Sequence, residues 1–565
     1  MKTAQAKSNS GSRWEQWVPG ILMIREYRAS WLPKDLAAGI TLGVLMVPVG
    51  LAFGELAGVP MAGLYAGMLP LIAYAMFGSS RQLIVGPDAS MAALVALSVA
   101  PLAAGDPGRL AILAGVLAVL IGMICILGSL LRLGFMADFL AKPVIVGFMH
   151  GLAVVIAVGQ LPKLLGVPGG GETAAAQFMT VYRNLAGTHI LTLAIGAASV
   201  VIILSCRRWL PRIPGQIVVV IGAILAVHFL SLDQAGVAVV GSVPEGLPRI
   251  QVPIVSLQDL QALLPLALAA ALVAFSDSVA TSRGFASRNH YRVDANQEML
   301  ALGLANIAAG VTQGLPVSGS GSRTAAAESA GSRTQMTSMI AAGVVACVML
   351  FFTDLLYSLP SAALGGILIA AAWSLCDFGE FRRMWRFRGL GLVGAVVTVA
   401  GVVGIGVVEG IGIGVLYSLV LVLRALAFPD DAVLGQVTSE EFHDRERHPE
   451  AKAIPGVLVY RFAAPLFFAN CGRFRNRVEE LIEASPEPLH AFVLDASAVS
   501  GVDLAACEVL SKLYRELQDR GIRLVIASLR GGVKDTLIRG WEAAGTEKGL
   551  FFASLGAAIG DLAKR

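Results

Sequence analysis

Hydrophobic stretches separated by short polar segments run along most of the chain. They begin near Leu36 and recur as far as Phe428, and most approach the roughly 20 helical residues needed to cross about 30 Å of hydrocarbon. Because polar residues, Gly or Pro bound each stretch, the pattern predicts a polytopic α-helical membrane protein with fourteen transmembrane segments. We place these segments at 36–57, 63–77, 89–104, 109–131, 144–165, 188–206, 215–231, 260–283, 296–312, 322–331, 335–353, 360–375, 390–406 and 408–427.

The pattern changes after Phe428 and predicts a second, soluble domain. Residues 429–455 are rich in charge and are predicted to form a linker. Beyond them, strand-like and helix-like patterns alternate, which indicates a cytoplasmic α/β domain at 456–565. Before them lie a cytoplasmic N-terminal segment at 1–35 and a transmembrane domain at 36–428. The predicted strands of the α/β domain are 457–462, 466–469, 491–495 and 523–528, and its predicted helices are 472–484, 503–520 and 534–543.

The composition agrees with a chain that lies mostly in lipid. Hydrophobic residues make up 56% of the chain and charged residues 15%, whereas soluble proteins contain about 25% charged residues. Lys and Arg collect in alternate loops, for example at Arg207 and Arg208, which predicts a cytoplasmic (inner) membrane protein with both termini in the cytoplasm. The net charge of +4 forms no patch for nucleic acid, and the six cysteines have no metal-ligand spacing. We therefore expect no nucleic-acid partner, no metal and no cofactor.

Two apolar segments are interrupted by extended, glycine-rich sequence. In 78–91, Gly86-Pro87 is incompatible with a helix and precedes a short helix that starts near Asp88. In 314–324, glycines and serines again precede a short helix. These interruptions lie in the third and tenth segments, and because seven is odd, the second set of seven segments must be inverted relative to the first. Paired discontinuous helices of this kind are typical of inverted-repeat transporters, where they meet at the membrane midplane.

Two half-helix N-termini that face each other favour an anion. Their free backbone N–H groups and dipoles are equivalent to about half a positive charge each. Arg323 would add a full positive charge, and Ser90, Ser320 and Ser322 would add hydroxyl donors. The alternative is that both stretches are loops at a helix contact and that Arg323 only marks a cytoplasmic loop. The corresponding positions of the two motifs favour the anion site.

Several longer motifs resemble those of the SulP family of sulfate permeases, to which the animal solute carrier 26 anion transporters are related. The resemblance extends over nearly the whole chain, and its last part resembles the STAS domain that ends most members. The motifs that carry it are DLAAGITLGVLMVP at 35–48, LAFGELAGVP at 51–60, GLY at 63–65, GP at 86–87, DANQEMLALGLAN at 294–306 and SGSRT at 320–324.

The resemblance implies a 7+7 inverted repeat of core and gate domains, elevator-type alternating access and a homodimer. It also implies that the anion lies between the third and tenth helices. Carried over by position, the residues that line the site are Phe53, Ala89, Ser90, Ser320, Gly321, Ser322, Arg323 and Thr324.

Two positions depart from the family pattern. Val49 follows the first-helix proline where many members have Gln, and Asp88 follows Gly86-Pro87 where others often have an apolar or small neutral residue. An ionised Asp88 beside an anion would repel it. We include Asp88 in the site under two interpretations: it caps the short helix, which we favour, or it is protonated as the anion binds.

Carboxylates inside the membrane are candidates for coupling transport to a second ion. Asp277 and Thr281 lie one helical turn apart, as in sodium-coupled members of the family. Arg323 at the start of the tenth helix is expected to pair with Asp277 in place of sodium. Glu55, near the end of the first segment, is the first candidate for proton coupling, with an interfacial role as the alternative. We therefore expect a proton or a counter-anion rather than sodium.

The predicted STAS domain differs from the phosphorylated switches of its family. Leu504 and Ala505 stand where those switches carry serines, although Asp503 can still cap the following helix. We expect a dimerising or regulatory module rather than a phosphate acceptor.

Together these features predict a secondary active transporter of small inorganic or organic anions rather than an enzyme. A sulfate-like oxyanion is our first choice of substrate, and bicarbonate, chloride and dicarboxylates are alternatives. The other functions considered are a passive anion channel, a sodium-coupled bicarbonate symporter and a membrane-anchored STAS signalling protein. The sequence has no Walker loop, GxSxG or HExxH motif.

Overall fold

The computed structural model describes residues 17–138, 142–170, 173–210, 214–241, 246–387, 389–438, 440–543 and 550–564. Residues 1–16 of the predicted N-terminal segment, and single positions or short stretches elsewhere, lie outside this part. The chain divides into two compact units, Met1–Ser418 and Leu419–Arg565.

Helices account for most of the first unit. Within the described residues, eight helical stretches are long and apolar enough to cross a membrane, two of which (Pro60–Phe77 and Ser361–Arg386) each join two α-helices, and four apolar stretches are shorter. A helix lies at each of the fourteen predicted segments, but the number that crosses the membrane stays a prediction. The helices are α1 (Pro19–Arg25), α2 (Leu32–Leu56), α3 (Pro60–Tyr65), α4 (Leu69–Phe77), α5 (Ala89–Leu94), α6 (Pro107–Leu130), α7 (Lys142–Leu165), α8 (Ala174–Arg183), α9 (Ile190–Trp209), α10 (Gly215–Leu230), α11 (Leu257–Arg288), α12 (Ala295–Val311), α13 (Gly321–Ser329), α14 (Met336–Phe351), α15 (Ser361–Leu375), α16 (Phe378–Phe387), α17 (Leu390–Gly404) and α18 (Val407–Ala427).

Three helical features were not predicted. The second predicted segment, 63–77, is two helices, α3 and α4, and each begins at or next to a proline. Helices α8 and α16 lie between predicted segments, because neither contains an apolar stretch long enough to cross the membrane. In α16, aromatic residues alternate with arginines at helical spacing, which is typical of a helix at an interface.

Small residues bring the helices of the first unit close together. Where α12 packs on α6, a Cβ atom added to Gly303 would lie 2.8 Å from the carbonyl oxygen of Gly122. A side chain at Gly43 on α2 would overlap Val344 of α14 in the same way. Glycine therefore allows backbone contact between helices that have little hydrophobic driving force to associate in lipid.

Two short strands cross in the middle of the first unit. Strand β1 (Val85–Pro87) pairs antiparallel with β2 (Val317–Gly319), with Val85 opposite Gly319 and Pro87 opposite Val317, and both strands are buried. Helix α5 begins two residues after β1, and α13 begins two residues after β2. The two predicted helix interruptions are therefore confirmed, and they lie side by side.

The second unit contains a six-stranded sheet with the order β4-β3-β5-β6-β7-β8. Strands β5 to β8 are parallel, and β3 is antiparallel to both β4 and β5. Buried apolar residues cover both faces of the sheet. The elements are β3 (Asp431–Gln436), β4 (Phe442–Asp444), β5 (Val457–Phe462), α19 (Cys471–Glu483), β6 (Ala491–Asp495), α20 (Leu504–Asp519), β7 (Arg523–Ala527), α21 (Gly531–Ala543), β8 (Leu550–Phe552) and α22 (Leu555–Leu562).

Two predictions for this unit were wrong. The predicted linker at 429–455 contains β3 and β4, whose short apolar runs were hidden by flanking charged residues. The predicted strand at 466–469 forms only a single bridge between Leu466 and Val502 and is otherwise irregular. The other predicted strands and helices agree within a few residues, because their patterns are longer.

Polar contacts hold β3 against the rest of the second unit. The Asp431 carboxylate accepts hydrogen bonds from the Tyr460 hydroxyl at 3.1 Å and from Arg477 Nε at 3.1 Å. Hydrogen bonds to Glu480 and Asp431 raise the pKa of Arg477, so its positive charge is retained. The segment at 429–436 is therefore part of the folded domain.

Candidate functional site

The crossing strands bring the starts of the two short helices together. The backbone N–H of Ser320 donates to the carbonyl of Ile84 at 2.9 Å, which continues the β1–β2 ladder to the first residues of α13. Helix α5 continues through a π turn and a 3-10 turn as far as Ala103. Both α5 and α13 therefore begin directly after strands of one small buried sheet.

Arg323 lies between these two helix starts. Its side chain is 3% exposed, and its guanidinium Nη1 donates to the backbone carbonyl of Pro87 at the end of β1. Nε and Nη2 are also buried, and neither has a hydrogen-bond partner in the part of the chain that the structure describes. A Cβ atom at Gly86 would lie 2.7 Å from Met46 Cε and 3.6 Å from Arg323 Cζ, so this position is kept open by glycine.

Asp88 caps α5, as the favoured interpretation predicts. Its Oδ2 accepts from the Ser90 backbone N–H at 3.1 Å and from the Ser90 hydroxyl at 2.6 Å. The Ser90 hydroxyl therefore donates to Asp88 and is not free to donate to an anion. The expected role of Ser90 as a donor to the anion stays a prediction, and Ala89 at the helix start is buried beside it.

The polar residues at the start of α13 have different roles. Ser320 caps the helix, and its hydroxyl lies 3.3 Å from that of Ser322. The Thr324 hydroxyl donates to the Ser320 carbonyl at 2.6 Å and accepts from the Ile84 N–H at 2.9 Å. Thr324 is fully buried and stabilises the contact between α13 and β1, and its expected place beside the anion stays a prediction.

Asp277 and Thr281 lie on α11, which passes the start of α13. A Cβ atom at Gly321 would lie 3.9 Å from the Thr281 side chain. Asp277 lines a cavity of about 10 Å³ together with Phe148 and Met149 of α7, which is roughly the space of one water molecule.

The expected ion pair between Asp277 and Arg323 is not formed among the described residues. Arg323 donates to Pro87 instead, because its side chain extends towards β1. Asp88 directly follows Pro87, the residue to which Arg323 donates. Asp277 lies one helical turn before Thr281, whose side chain is near Gly321 at the start of α13.

Phe53 and Glu55 lie near the end of α2. Phe53 is 5% exposed and belongs to the hydrophobic core of the first unit. Glu55 Oε1 forms an ion pair with Lys163 Nζ of α7 at 2.8 Å. This partner could not be predicted from the sequence, because the contact joins two helices that are distant along the chain.

Two residues of α12 position the crossing strands and were not identified from the sequence as site residues. Asn306 is fully buried, donates to the Val317 carbonyl at 3.0 Å and accepts from the Val317 N–H at 3.0 Å. Glu298 is 1% exposed and accepts from the Tyr74 hydroxyl at 2.6 Å and from the Ser79 N–H at 2.8 Å. Polar residues in an apolar helix were the available signal, since such residues are seldom buried without a role.

Further hydrogen bonds fix the segment before β1 and the end of β2. Gln335 Nε2 donates to the carbonyls of Ser80 at 2.9 Å and Leu83 at 2.8 Å. The Ser278 hydroxyl of α11 accepts from the Gly319 N–H at 2.8 Å. Each strand is thus held by buried side chains of several helices, which gives the site a rigid frame.

Comparisons with known proteins agree in both units. The sulfate permease family matches residues 32–398, and the STAS domain matches residues 448–558. A probable sulfate transporter of Mycobacterium tuberculosis is 42% identical over 523 residues, which cover 92% of this chain and 93% of the relative. The chloroplastic sulfate transporter 4.1 of Arabidopsis thaliana is 30% identical over 571 residues, which cover 96% of this chain and 82% of the relative.

Solved structures share the fold. Murine solute carrier 26 family member A9, an anion transporter in the inward-facing state, has a TM-score of 0.91 at 24% identity, with 100% of this chain and 97% of that chain covered. The transmembrane domain of a cyanobacterium bicarbonate transporter has a TM-score of 0.60 at 24% identity, with 70% of this chain and 98% of that chain covered. Since the family match extends over more than half of the sequence, this multi-pass membrane protein belongs to the sulfate permease family of anion transporters and ends in a STAS domain.

Proposed function

We propose that the protein is a secondary active transporter that binds a small anion, with a sulfate-like oxyanion first, between the starts of α5 and α13. The observation that carries this proposal is Arg323, a buried guanidinium with two donors that no described residue uses. An anion at this position would accept from Nε and Nη2 and would face the N–H groups at both helix starts. Binding and release of the anion require no covalent reaction.

The choice of sulfate rests on the relatives. Those from Mycobacterium tuberculosis and Arabidopsis thaliana bear the name of sulfate transporters. Bicarbonate is the first alternative, because a bicarbonate transporter shares the fold. Chloride and dicarboxylates satisfy the same donors and stay open.

The charges of the site support coupling to a proton or exchange for a second anion. If both were ionised, Asp88 and Asp277 would together exceed the charge of Arg323, and a bound anion would add further negative charge. Uncompensated buried charge is costly, and uptake of a proton by one carboxylate removes it. Glu55 is a weaker candidate because Lys163 is its partner. Sodium is disfavoured because Arg323 supplies a fixed positive charge on the first turn of α13, the helix whose first residue, Gly321, lies near Thr281.

We further propose the wider architecture that the family resemblance implies. Residues 36–428 would form fourteen spans in a 7+7 inverted repeat of core and gate domains, with elevator-type alternating access. The cytoplasmic STAS domain, predicted at 456–565, would extend towards the N-terminus to include the strands found within 429–455. The protein would be a homodimer in the cytoplasmic (inner) membrane with both termini in the cytoplasm.

The experiment is uptake into liposomes that contain the purified protein. Labelled sulfate, bicarbonate, succinate and chloride are compared for the natural protein, for Arg323→Ala and for the control Arg208→Gln, a basic residue in the last turn of α9. We expect sulfate uptake to fall about 100-fold in Arg323→Ala, because two charge-assisted hydrogen bonds are lost, and to be unchanged in the control.

Conductance measured under an applied voltage distinguishes a transporter from a passive channel. A transporter gives uptake that follows a proton or counter-anion gradient and little conductance under voltage alone. Large conductance without such a gradient would favour the channel. Equal sulfate uptake by Arg323→Ala and the natural protein would reject the site itself.

A further inference from the structure

A second cavity lies in the first unit, outside the site between α5 and α13. Its volume is about 630 Å³, within the range of small-ligand pockets. One wall is formed by α1 and the start of α2, including Leu22, Met23 and Trp31. The opposite wall is formed by Ser79 and Arg81, in the segment that leads into β1. The residues at the transport site, Pro87 and Arg323, do not line it.

Positive charge dominates the lining of this cavity. Lys34, Arg81 and Arg333 line it, and Glu26 is the acidic residue among the described lining residues. Arg81 is held over the ring of Tyr291, with its Cζ 5.6 Å from the ring centroid. The cavity therefore suits an anionic group, and phosphate is the group that several Lys and Arg side chains bind best.

Nearby acidic side chains are already satisfied by other groups. Asp35, beside Lys34, accepts from the backbone N–H of Arg333 at 2.6 Å and from the Thr334 hydroxyl at 2.8 Å. It also accepts from the Tyr27 hydroxyl at 3.2 Å. Asp35 is fully buried and is not among the described residues that line the cavity, so it serves as a brace for the cavity wall.

The other side of α1 is apolar and uncovered. Ile21 is 44% exposed and Ile24 is 50% exposed, and they flank Leu22 and Met23 of the cavity wall. A free phosphate would leave this apolar surface in water, whereas a lipid would cover it with its acyl chains. A basic cavity next to an exposed apolar surface is the combination expected of a binding site for an amphiphilic molecule.

We propose that this cavity binds the phosphate headgroup of an anionic phospholipid. The headgroup lies among Lys34, Arg81 and Arg333, and the acyl chains lie along α1. The occupant contacts Ser79 and Arg81, which belong to the segment that Glu298 and Gln335 fix before β1. A lipid bound here therefore stabilises the frame of the transport site without touching the transported anion.

The test measures the midpoint of thermal unfolding of the full chain in a neutral detergent. The probes are a short-chain phosphatidylglycerol, the corresponding phosphatidylcholine and glycerol phosphate. A ligand that binds the folded protein raises the midpoint with concentration. We expect phosphatidylglycerol to do so most strongly, and Lys34→Gln/Arg333→Gln to bind it about thirtyfold more weakly, since each basic residue near a lipid headgroup contributes about a factor of five.

The matched control is Arg207→Gln/Arg208→Gln, which removes two exposed basic residues from the end of α9. It is expected to keep the affinity of the natural protein. Equal affinities of the two double variants, or equal stabilisation by phosphatidylcholine, would overturn the proposal. Stabilisation by glycerol phosphate at the same concentrations would overturn the assignment to a lipid. If the first double variant does not fold, Arg81→Gln carries the same test with about fivefold weaker binding expected.

Discussion

Arg323 is a buried cation whose hydrogen bonds are incomplete. Nη1 donates to Pro87, while Nε and Nη2 find no acceptor in the described chain. Burying a guanidinium costs several kcal/mol unless a partner compensates it, roughly as for other ions taken out of water. Its planar fork fits the two oxygens of an oxyanion, which a lysine ammonium cannot reproduce.

A positive charge at position 323 is therefore not sufficient by itself for tight binding of the anion. Arg323→Lys is expected to raise the KM for sulfate about tenfold, because one of two directed hydrogen bonds is lost. The same exchange at Arg208 is the control and is expected to leave KM unchanged. Sulfate uptake at a series of concentrations provides the measurement, and an unchanged KM in Arg323→Lys would contradict the role of the fork.

The carboxylates beside Arg323 set the expected dependence on pH. If Asp277 takes up the proton that accompanies the anion, Asp277→Asn is permanently neutral there and keeps uptake that no longer changes with pH. The natural protein is expected to transport faster as pH falls, since protonation removes a negative charge next to the anion. Uptake at several pH values is compared with that of Asp259→Asn. Asp259 lies in the first turn of α11, far along the helix from Asp277, and its carboxylate pairs with Arg109 of α6. A pH profile of Asp277→Asn equal to that of the natural protein would exclude Asp277 as the proton site.

At the scale of elements, the breaks in two helices could be predicted from the sequence, whereas the side chains that anchor the broken segments could not. Gly86-Pro87 and the glycines of 314–321 break a helix through local sterics, which a sequence displays directly. The anchors Asn306 and Glu298 act across helix contacts, which spacing along the chain does not reveal. The same limit applies to Glu55, whose partner Lys163 is on another helix.

The direction of the side chains on the two short helices also could not be predicted from the sequence. Ser90 and Thr324 are polar residues at helix starts, and both were expected to face the anion. Ser90 instead donates to Asp88, and Thr324 bonds β1 and the Ser320 carbonyl. Hydroxyl groups near helix ends often bond nearby backbone or side chains in this way.

Asn306 is expected to matter for both stability and transport. Asn306→Ala removes both hydrogen bonds to Val317 and leaves a buried N–H and carbonyl without a partner, at a cost of about 1–3 kcal/mol each. We expect a lower unfolding midpoint and weaker sulfate binding. The control is Asn184→Ala, because the Asn184 amide bonds only the Thr180 carbonyl one turn earlier. A normal midpoint and normal uptake in Asn306→Ala would show that β2 does not depend on this anchor.

At the scale of the whole molecule, composition and apolar segments predicted a polytopic membrane protein, and the family match supports it. The strands within 429–455 were missed because their short, partly charged sequences resemble a linker. These strands acquire their structure from pairing, β3 with β5 and the edge strand β4 with β3, rather than from local preference.

The proposed homodimer gives a prediction for the intact protein. In mild detergent, the protein component is expected to have twice the chain mass of 58.9 kDa. Light scattering combined with size-exclusion chromatography separates the mass of protein from that of detergent. A protein mass of a single chain at all concentrations would contradict the homodimer and would leave the anion site unaffected.

The central claim is that an anion binds between the two crossing half-helices, and its location can be measured directly. Selenate has the shape and charge of sulfate, and its selenium can be located by anomalous scattering in crystals of the transporter. We predict a selenium peak within reach of Nε and Nη2 of Arg323 and beside the starts of α5 and α13, absent from Arg323→Ala. A peak elsewhere, or an equal peak in Arg323→Ala, would contradict the account.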